Sequence, residues 1–442
     1  MGPGDKLAAL VRKTLRLAFA SAGVSIALGV FFIGFLALTL SLTSDARIIA
    51  NLRQASIAET LPQHSYPTSI FGHSGHQFDA YTDCVALGIN LGNEGENVFR
   101  RVAESSTATR ETGNGPCREL NDGVRSGQVS TDYGYLRFWH GYQAYFRILL
   151  SVAPFDTMMR ITALLFFSAL IFFALQVQGI FGRWAWVAAI LPFFALSDFL
   201  TVPMVATHAL SLAWAFFTAS LTPLIIQRVR NPEDLALPLF ALVAGASYNF
   251  LNFLINPPLA PALIAFFYMA QRHGNEPRDA WRAALYALML IGFWYAGFFI
   301  AWIEKWAFAA SLLGPDAVRA ELAQIFGKYA TTQQRLAVNF LGATRRNLIP
   351  GWNWYFFGYI AASCAASAAI VLALVRKHGG AAARITAFCA ICAPSFIAII
   401  SWIELARAHS AEHSGFVSRT FLLMGIIPTL AAIRLWREAR NG

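Results

Sequence analysis

Residues Leu17–Leu42 read LAFASAGVSIALGVFFIGFLALTLSL and contain no charged side chain. About 20 such residues, wound as a helix, cross the hydrocarbon core of a bilayer. The run is longer than the apolar part of a signal peptide, and no clear small-residue cleavage site follows it. It therefore predicts an uncleaved first membrane span. Four basic residues precede it and give the span a basic cytoplasmic lead: Lys6, Arg12, Lys13 and Arg16.

The composition extends this prediction to the whole chain. The 442 residues are 57% hydrophobic and only 13% charged, with a mean hydropathy of +0.50. A soluble protein could not bury so much apolar surface. The net charge of +10 does not indicate nucleic-acid binding, because Lys and Arg cluster beside apolar runs, as in membrane proteins. We expect an all-α polytopic membrane protein with about ten transmembrane helices, at 18–43, 157–176, 184–200, 206–227, 236–254, 258–271, 283–303, 354–375, 385–402 and 419–433.

The basic connections between these spans alternate onto one side of the membrane. By the positive-inside bias that side is cytoplasmic, and both termini lie on it. Within a single transmembrane domain, 1–442, the other side receives two polar loops, 44–156 with juxtamembrane helices and 304–354. The second loop is itself basic, which favours an anionic ligand on the outer side.

Two of the five cysteines, Cys84 and Cys117, lie in the first polar loop. A disulfide between them is allowed if the loop lies outside the cytoplasm. Cys364, Cys389 and Cys392 fall in apolar spans, where cysteine packs as a small apolar residue.

Residues 78–83 read FDAYTD, with two carboxylates four positions apart. In a helix, Asp79 and Asp83 would share one face. A carboxylate there could act as a general base, because it can accept the proton of an attacking hydroxyl. The alternative is a solvated loop helix that carries acidic residues without chemistry. We favour Asp79 as the base, with Asp83 orienting it or contacting a sugar.

Residues 133–147 read YGYLRFWHGYQAYFR and stand just before the second span. Aromatic faces pack on sugar rings, and arginine binds phosphate through a planar fork. An interfacial aromatic belt without a specific function is the alternative. Arg147 is a candidate phosphate ligand. The candidate substrate-binding residues of this block are Arg137, Trp139, His140, Tyr142 and Gln143.

Residues 407–419 read RAHSAEHSGFVSR. His409 and His413 have a spacing that a metal could use, but no third ligand is evident, so we favour phosphate binding together with Arg419. Arg345 and Arg346 could capture a lipid phosphate or simply reach the interface with their head groups. No cofactor is expected, and a divalent metal is not indicated. The sequence contains no Gly-rich nucleotide loop and no nucleophile elbow.

These three blocks, in this order, resemble a group of bacterial polytopic proteins encoded with surface-glycan genes. That group is similar in plan to the GT-C glycosyltransferases, which use polyprenyl-phosphate sugars as donors. The resemblance implies a bacterial inner membrane, a periplasmic active site, a carboxylate base in the first outer loop, and a glycan or protein acceptor. An arabinosyltransferase with an arabinofuranose donor is one member class. Similar proteins often carry an acidic residue where this chain has Asn252, which we retain as a substrate-binding candidate.

Two other functions remain open. A flippase or transporter of lipid-linked glycan would need charges along a path through the spans, and few lie at mid-depth. An O-antigen-type polymerase or ligase would use the same outer Arg and His residues with a diphosphate-linked donor. In each case the expected partners are a lipid-linked sugar, its acceptor and membrane lipids, with no nucleic acid.

Overall fold

The computed structural model describes residues 3–64, 66–70, 73–92, 94–108, 115–129, 134–229, 235–251, 254–273, 276–336, 339, 341–348 and 354–441. Within these residues the chain is almost entirely helical. The helices are α1 (Pro3–Leu42), α2 (Asp45–Ile57), α3 (Ala80–Gly88), α4 (Val98–Glu104), α5 (Pro116–Ser126), α6 (Tyr142–Val152), α7 (Phe155–Phe181), α8 (Ala185–Leu196), α9 (Ala206–Arg228), α10 (Ala236–Leu251), α11 (Leu259–Arg272), α12 (Pro277–Leu313), α13 (Pro315–Leu336), α14 (Gly342–Leu348), α15 (Trp354–His378), α16 (Ala381–Leu405), α17 (Arg407–Glu412), α18 (Ser414–Val417) and α19 (Leu423–Asn441). Two 3-10 helices cover Asp198–Met204 and Ser418–Leu422, and two strands, β1 (Tyr66–Ile70) and β2 (His73–Phe78), pair as an antiparallel hairpin.

The protein is a multi-pass membrane protein by the length and composition of its helices. Among the described residues, seven helices are long and apolar enough to cross a membrane, or eight if the bent pair of α8 and the first 3-10 helix counts as one span. That pair bends by 86°. Helices α10 and α11 are shorter, with 16 and 14 residues. All ten expected segments are helical over most of their described residues, but the expected count of ten spans is not shown.

Helices α10 and α11 are short because a buried turn interrupts them. Pro257 and Pro258 cannot donate backbone hydrogen bonds and disfavour helix at the residue before them. Leu254 and Asn256 adopt positive φ angles of 61° and 52°. The turn is satisfied internally, since the Tyr248 hydroxyl donates to the carbonyl of residue 255. Backbone that leaves the helix is tolerated at membrane depth only where protein surrounds it in this way.

Helices α10 and α12 cross at very close range because each presents a glycine at the contact. A Cβ atom added to Gly245 would lie 1.9 Å from the carbonyl oxygen of Trp294. A Cβ on Gly297 would lie 2.0 Å from the carbonyl oxygen of Leu242. Small residues at such crossings let membrane helices pack by van der Waals contact, which replaces the hydrophobic driving force that lipid does not supply.

The first polar loop is a folded unit with its own apolar core, built from α2, α3, α5 and α6. The disulfide expected between Cys84 and Cys117 is present and joins α3 to α5. The hairpin of β1 and β2 corrects the all-α expectation locally. Asp79 follows β2 directly and stands immediately before α3.

The second polar loop begins later than expected, because α12 continues to Leu313 rather than ending near residue 303. Lys305 explains the extension. Its buried Nζ donates to the carbonyl oxygens of Val102 and Ala103 at 2.5 and 2.9 Å and to Ser105 Oγ at 3.1 Å. This side chain therefore caps the end of α4 and joins α12 to the first polar unit. What was expected as a loop is largely the helices α13 and α14.

Candidate functional site

A cavity of about 620 Å³ opens where the first polar unit meets α12, α13, α17 and α18. Aromatic side chains form much of its wall: Tyr81, Tyr135, Phe138, Trp302, Tyr329 and Phe416. Its ionisable lining residues are Asp79, Arg137, Lys328, His409, Glu412 and His413. The cavity thus combines flat apolar faces with charges of both signs, an arrangement typical of sites that bind a small polar ring.

Asp79 is fixed at the cavity wall by the start of α3. As the N-cap residue, its carboxylate accepts from the backbone N–H of Thr82 at 3.3 Å and from Thr82 Oγ1 at 2.6 Å. His208 Nε2 lies 3.1 Å from Asp79 Oδ2. Burial alone would raise the pKa of Asp79, but the hydrogen bond from His208, electrostatic attraction to His208 and the hydrogen bonds from Thr82 bring it below its ordinary value. The group is therefore a carboxylate at neutral pH.

Behind Asp79, a chain of buried polar side chains continues into the helical bundle. Arg419 Nη1 lies 3.2 Å from His208 Nδ1. The same guanidinium grips Asp198 with two bonds, Nε to Oδ1 at 2.5 Å and Nη2 to Oδ2 at 2.7 Å. All three side chains are almost inaccessible to solvent. We call Asp79, His208, Arg419 and Asp198 the relay.

Asp83 and Asp79 both contact the first turn of α9, but their partners differ. The Asp83 carboxylate accepts from the backbone N–H groups of Ala206 and Thr207 at 2.6 and 2.9 Å and from Thr207 Oγ1 at 2.7 Å. Asp83 thus accepts from backbone N–H groups at the start of α9 that have no partner within the helix. Burial raises the pKa of Asp83 despite these bonds. Asp83 does not line the cavity, whereas Asp79 does.

His409 and His413 line the cavity as uncharged groups. His409 Nε2 lies 3.2 Å from the carbonyl oxygen of Leu254, and the two imidazoles are 4.5 Å apart between centroids. Burial lowers the pKa of His409 to about 3 and also lowers that of His413. Both rings can exchange hydrogen bonds with a phosphate at neutral pH but add no positive charge to it.

Among the candidates at 137–143, the structure places Arg137 at the cavity. Its Nε donates to Glu321 Oε1 at 2.7 Å, and its guanidinium lies 4.7 Å from the centre of the Tyr135 ring. The other four are packed inside the protein. Trp139 donates to the carbonyl of residue 301, Gln143 to that of residue 89, and the His140 ring contacts the Tyr142 hydroxyl at 2.7 Å.

Among the candidate phosphate ligands, His409 and His413 meet at the cavity, but the arginines do not join them. Arg147 donates to Asp45, to Thr43 Oγ1 at 2.9 Å and to the carbonyl of residue 90 at 3.0 Å, and it does not line the cavity. Arg419 is also absent from the lining, because Asp198 and His208 occupy its guanidinium. Arg345 and Arg346 are exposed on α14. The substrate-binding candidate Asn252 lies outside the described residues.

Sequence reasoning did not single out several residues of this site. Two of them, Asp198 and His208, carried a usable signal, because ionisable residues at the ends of apolar helices are often functional. Lys328 was visible only as one charge of a basic loop. The other residues had no distinguishing pattern: Trp302, Tyr329 and Glu412. Within the described parts of the chain, no group of three potential metal ligands occurs.

Comparison of the chain with protein-family models, with curated proteins and with solved structures found no match.

Proposed function

We propose that the protein is a membrane glycosyltransferase that moves a sugar from a polyprenyl-phosphate donor to a glycan or protein acceptor. The observation that supports it best is the composition of the cavity wall. The Asp79 carboxylate lies in this wall together with aromatic faces and with the basic side chains of Arg137 and Lys328. A lipid-linked sugar phosphate presents the complementary parts, which are hydroxyls, an apolar ring face and an anion.

In the proposed reaction, the acceptor hydroxyl attacks the anomeric carbon of the donor sugar. The bond from that carbon to the phosphate oxygen breaks, and polyprenyl phosphate leaves with the electron pair. Asp79 takes the hydroxyl proton as the new glycosidic bond forms. Lys328 and the neutral rings of His409 and His413 stabilise the departing phosphate, and Tyr135 and the rings near it hold the sugar. Fixed charges of this kind commonly supply much of an enzyme's rate enhancement.

The charge pattern of the connections supports an active site on the non-cytoplasmic side of a bacterial inner membrane. The polar unit that carries Asp79 follows the first span, whose basic lead favours a cytoplasmic N-terminus. The sugar is left open, with arabinofuranose as one candidate.

The test is transfer by the purified protein in lipid nanodiscs. Radiolabelled sugar is supplied as a synthetic polyprenyl monophosphate or as the matching diphosphate, with a membrane extract as the source of acceptor. We expect transfer from the monophosphate that depends on Asp79. Transfer from the diphosphate alone would instead identify a polymerase or ligase. Movement of the donor across vesicle bilayers without transfer would identify a flippase.

A further inference from the structure

We propose that Arg419 fixes the tautomer of His208, so that this histidine is neutral and always donates a hydrogen bond to Asp79. Asp198 keeps the Arg419 guanidinium in place beside His208 through two hydrogen bonds. These three residues then act as positioning residues, not catalytic ones. The tautomer follows from geometry alone, and only its consequence for transfer rests on the proposed function.

The assignment begins with the chemistry of arginine. A guanidinium carries five N–H donors and no acceptor. Because Arg419 Nη1 lies 3.2 Å from His208 Nδ1, that nitrogen must accept the bond and carry no proton. A neutral imidazole then holds its single proton on Nε2, which lies 3.1 Å from Asp79 Oδ2. Both contacts are satisfied by one tautomer and by no other protonation state.

Asp198 explains why the arginine stays in place. The two-bond fork between its carboxylate and Arg419 fixes the plane of the guanidinium, which a lysine could not do. Both side chains are about 2% exposed or less, so each charge needs the other. Since these two charges cancel and His208 is neutral, the net negative charge of the relay falls on Asp79 at the cavity.

Two other described ionisable groups, Asp83 and His413, lie near His208. Asp83 is occupied by the start of α9, and the pKa of His413 is lowered by burial. Phe416 covers the ring edge at 5.0 Å between centroids. The arrangement reverses the order of a hydrolase triad, in which a carboxylate sets the tautomer of a catalytic histidine. In this protein an arginine sets the tautomer, and the histidine orients a carboxylate.

The experiment is nitrogen NMR of the full-length protein, labelled at histidine with ¹⁵N and reconstituted in lipid, with His208→Gln used to assign the signals. At pH 7 we expect an unprotonated Nδ1 and a protonated Nε2. In Arg419→Ala, Nδ1 loses its hydrogen-bond donor. It should then take up a proton, the second of the ring, as the pH falls from 8 to 5, the range in which histidine ordinarily titrates. The exposed Arg376→Ala is the control and should leave the His208 signals unchanged. If Arg419→Ala does not fold, the same spectra are recorded for Asp198→Asn, in which Arg419 loses its charged partner.

A doubly protonated His208 in the wild type, or a proton on Nδ1, would overturn the proposal. So would an unchanged spectrum in folded Arg419→Ala. Transfer provides a second measurement. Glutamine both accepts and donates through its amide, so His208→Gln should retain most of the turnover. His208→Leu should lose about 10- to 100-fold, the value of one hydrogen bond to a charged group. If the wild type transfers no sugar, the proposed function fails while the NMR result still decides the tautomer.

Discussion

Among the described residues, two clusters of arginine and aspartate are buried, and they differ in where their hydrogen bonds end. In the first, which we call the closed cluster, Asp45 pairs with both Arg101 and Arg147. In the second, the relay, Asp198 pairs with Arg419. Each cluster joins segments far apart in the chain, and each is nearly inaccessible to solvent.

The closed cluster is surrounded by backbone. Its carboxylate also accepts from the N–H of Gly92 at 2.9 Å, and both of its arginines donate to the carbonyl of Asn90. Its bonds tie the junction of α1 and α2 to α4 and α6. The relay instead ends at Asp79, whose carboxylate reaches the cavity. We therefore expect the closed cluster to stabilise the fold and the relay to affect what happens in the cavity.

The largest effect should come from breaking the closed cluster. Arg147→Ala leaves Asp45 buried with one partner fewer, which should lower the free energy of unfolding by about 3–5 kcal/mol. Thermal unfolding in detergent measures the loss. Arg100→Ala is the control, because Arg100 is largely exposed and its ion pair with Glu104 contributes less than about 1 kcal/mol. Equal melting temperatures for the two variants would show that the closed cluster does not stabilise the fold.

Asp79→Asn, in contrast, should reduce transfer and leave the stability of the fold almost unchanged. The amide keeps the size and most hydrogen bonds of the carboxylate, so the melting temperature should stay close to that of the wild type. Transfer should fall about 100-fold or more, because the base is lost, while donor binding persists. The measurement is turnover at saturating donor together with a donor-binding isotherm. Near-normal turnover of this variant would remove Asp79 from the mechanism.

The sequence predicted an all-α polytopic membrane protein and its helical segments, because these depend on local patterns. It also predicted the disulfide, since Cys84 and Cys117 lie in one polar loop. It did not predict that Asp79 would precede α3 as its N-cap and Asp83 would lie within it. The partners of the arginines could not be predicted. Arg147 meets its aspartate across 102 positions, and Arg419 does so across 221. Periodicity contains no information about which distant charges meet, so both arginines were equally good phosphate candidates.

A smaller effect should separate the two aspartates of residues 78–83. Asp83→Ala leaves two backbone donors and one hydroxyl at the start of α9 without their acceptor, at a cost of about 1–3 kcal/mol. Transfer should stay near normal at a temperature where the variant is folded. Asp122→Ala on the exposed face of α5 is the control for loss of an acidic side chain. A folded but inactive Asp83→Ala would mean that Asp83, rather than Asp79, is the base.

The smallest effect concerns the pH dependence of stability, for which the two aspartates should differ in sign. The pKa of Asp79 is lowered in the folded protein, so its contribution to stability is complete well above the unfolded value of 3.8 and is lost as the pH falls toward and below it. The pKa of Asp83 is raised by burial. Just above pH 3.8 the folded chain therefore holds a proton at Asp83 that the unfolded chain has released, and the free energy of unfolding falls as the pH rises, by at most about 1.4 kcal/mol per pH unit.

Unfolding of the wild type, Asp79→Asn and Asp83→Asn between pH 4 and 7 tests this difference in one series. Neither asparagine titrates, so each variant removes the contribution of a single carboxyl. The stability of the wild type relative to Asp79→Asn should rise by a few tenths of a kcal/mol, roughly 0.3, between pH 4 and about pH 5.5 and then stay constant, because the unfolded carboxyl still holds some protons at pH 4 and the folded one does not. Relative to Asp83→Asn it should decline as the pH rises from 4 and then level off once Asp83 is ionised in both states. A constant difference for Asp83→Asn would show that its three hydrogen bonds outweigh burial. A difference for Asp79→Asn that falls as the pH rises would show that His208 does not hold Asp79 as a carboxylate.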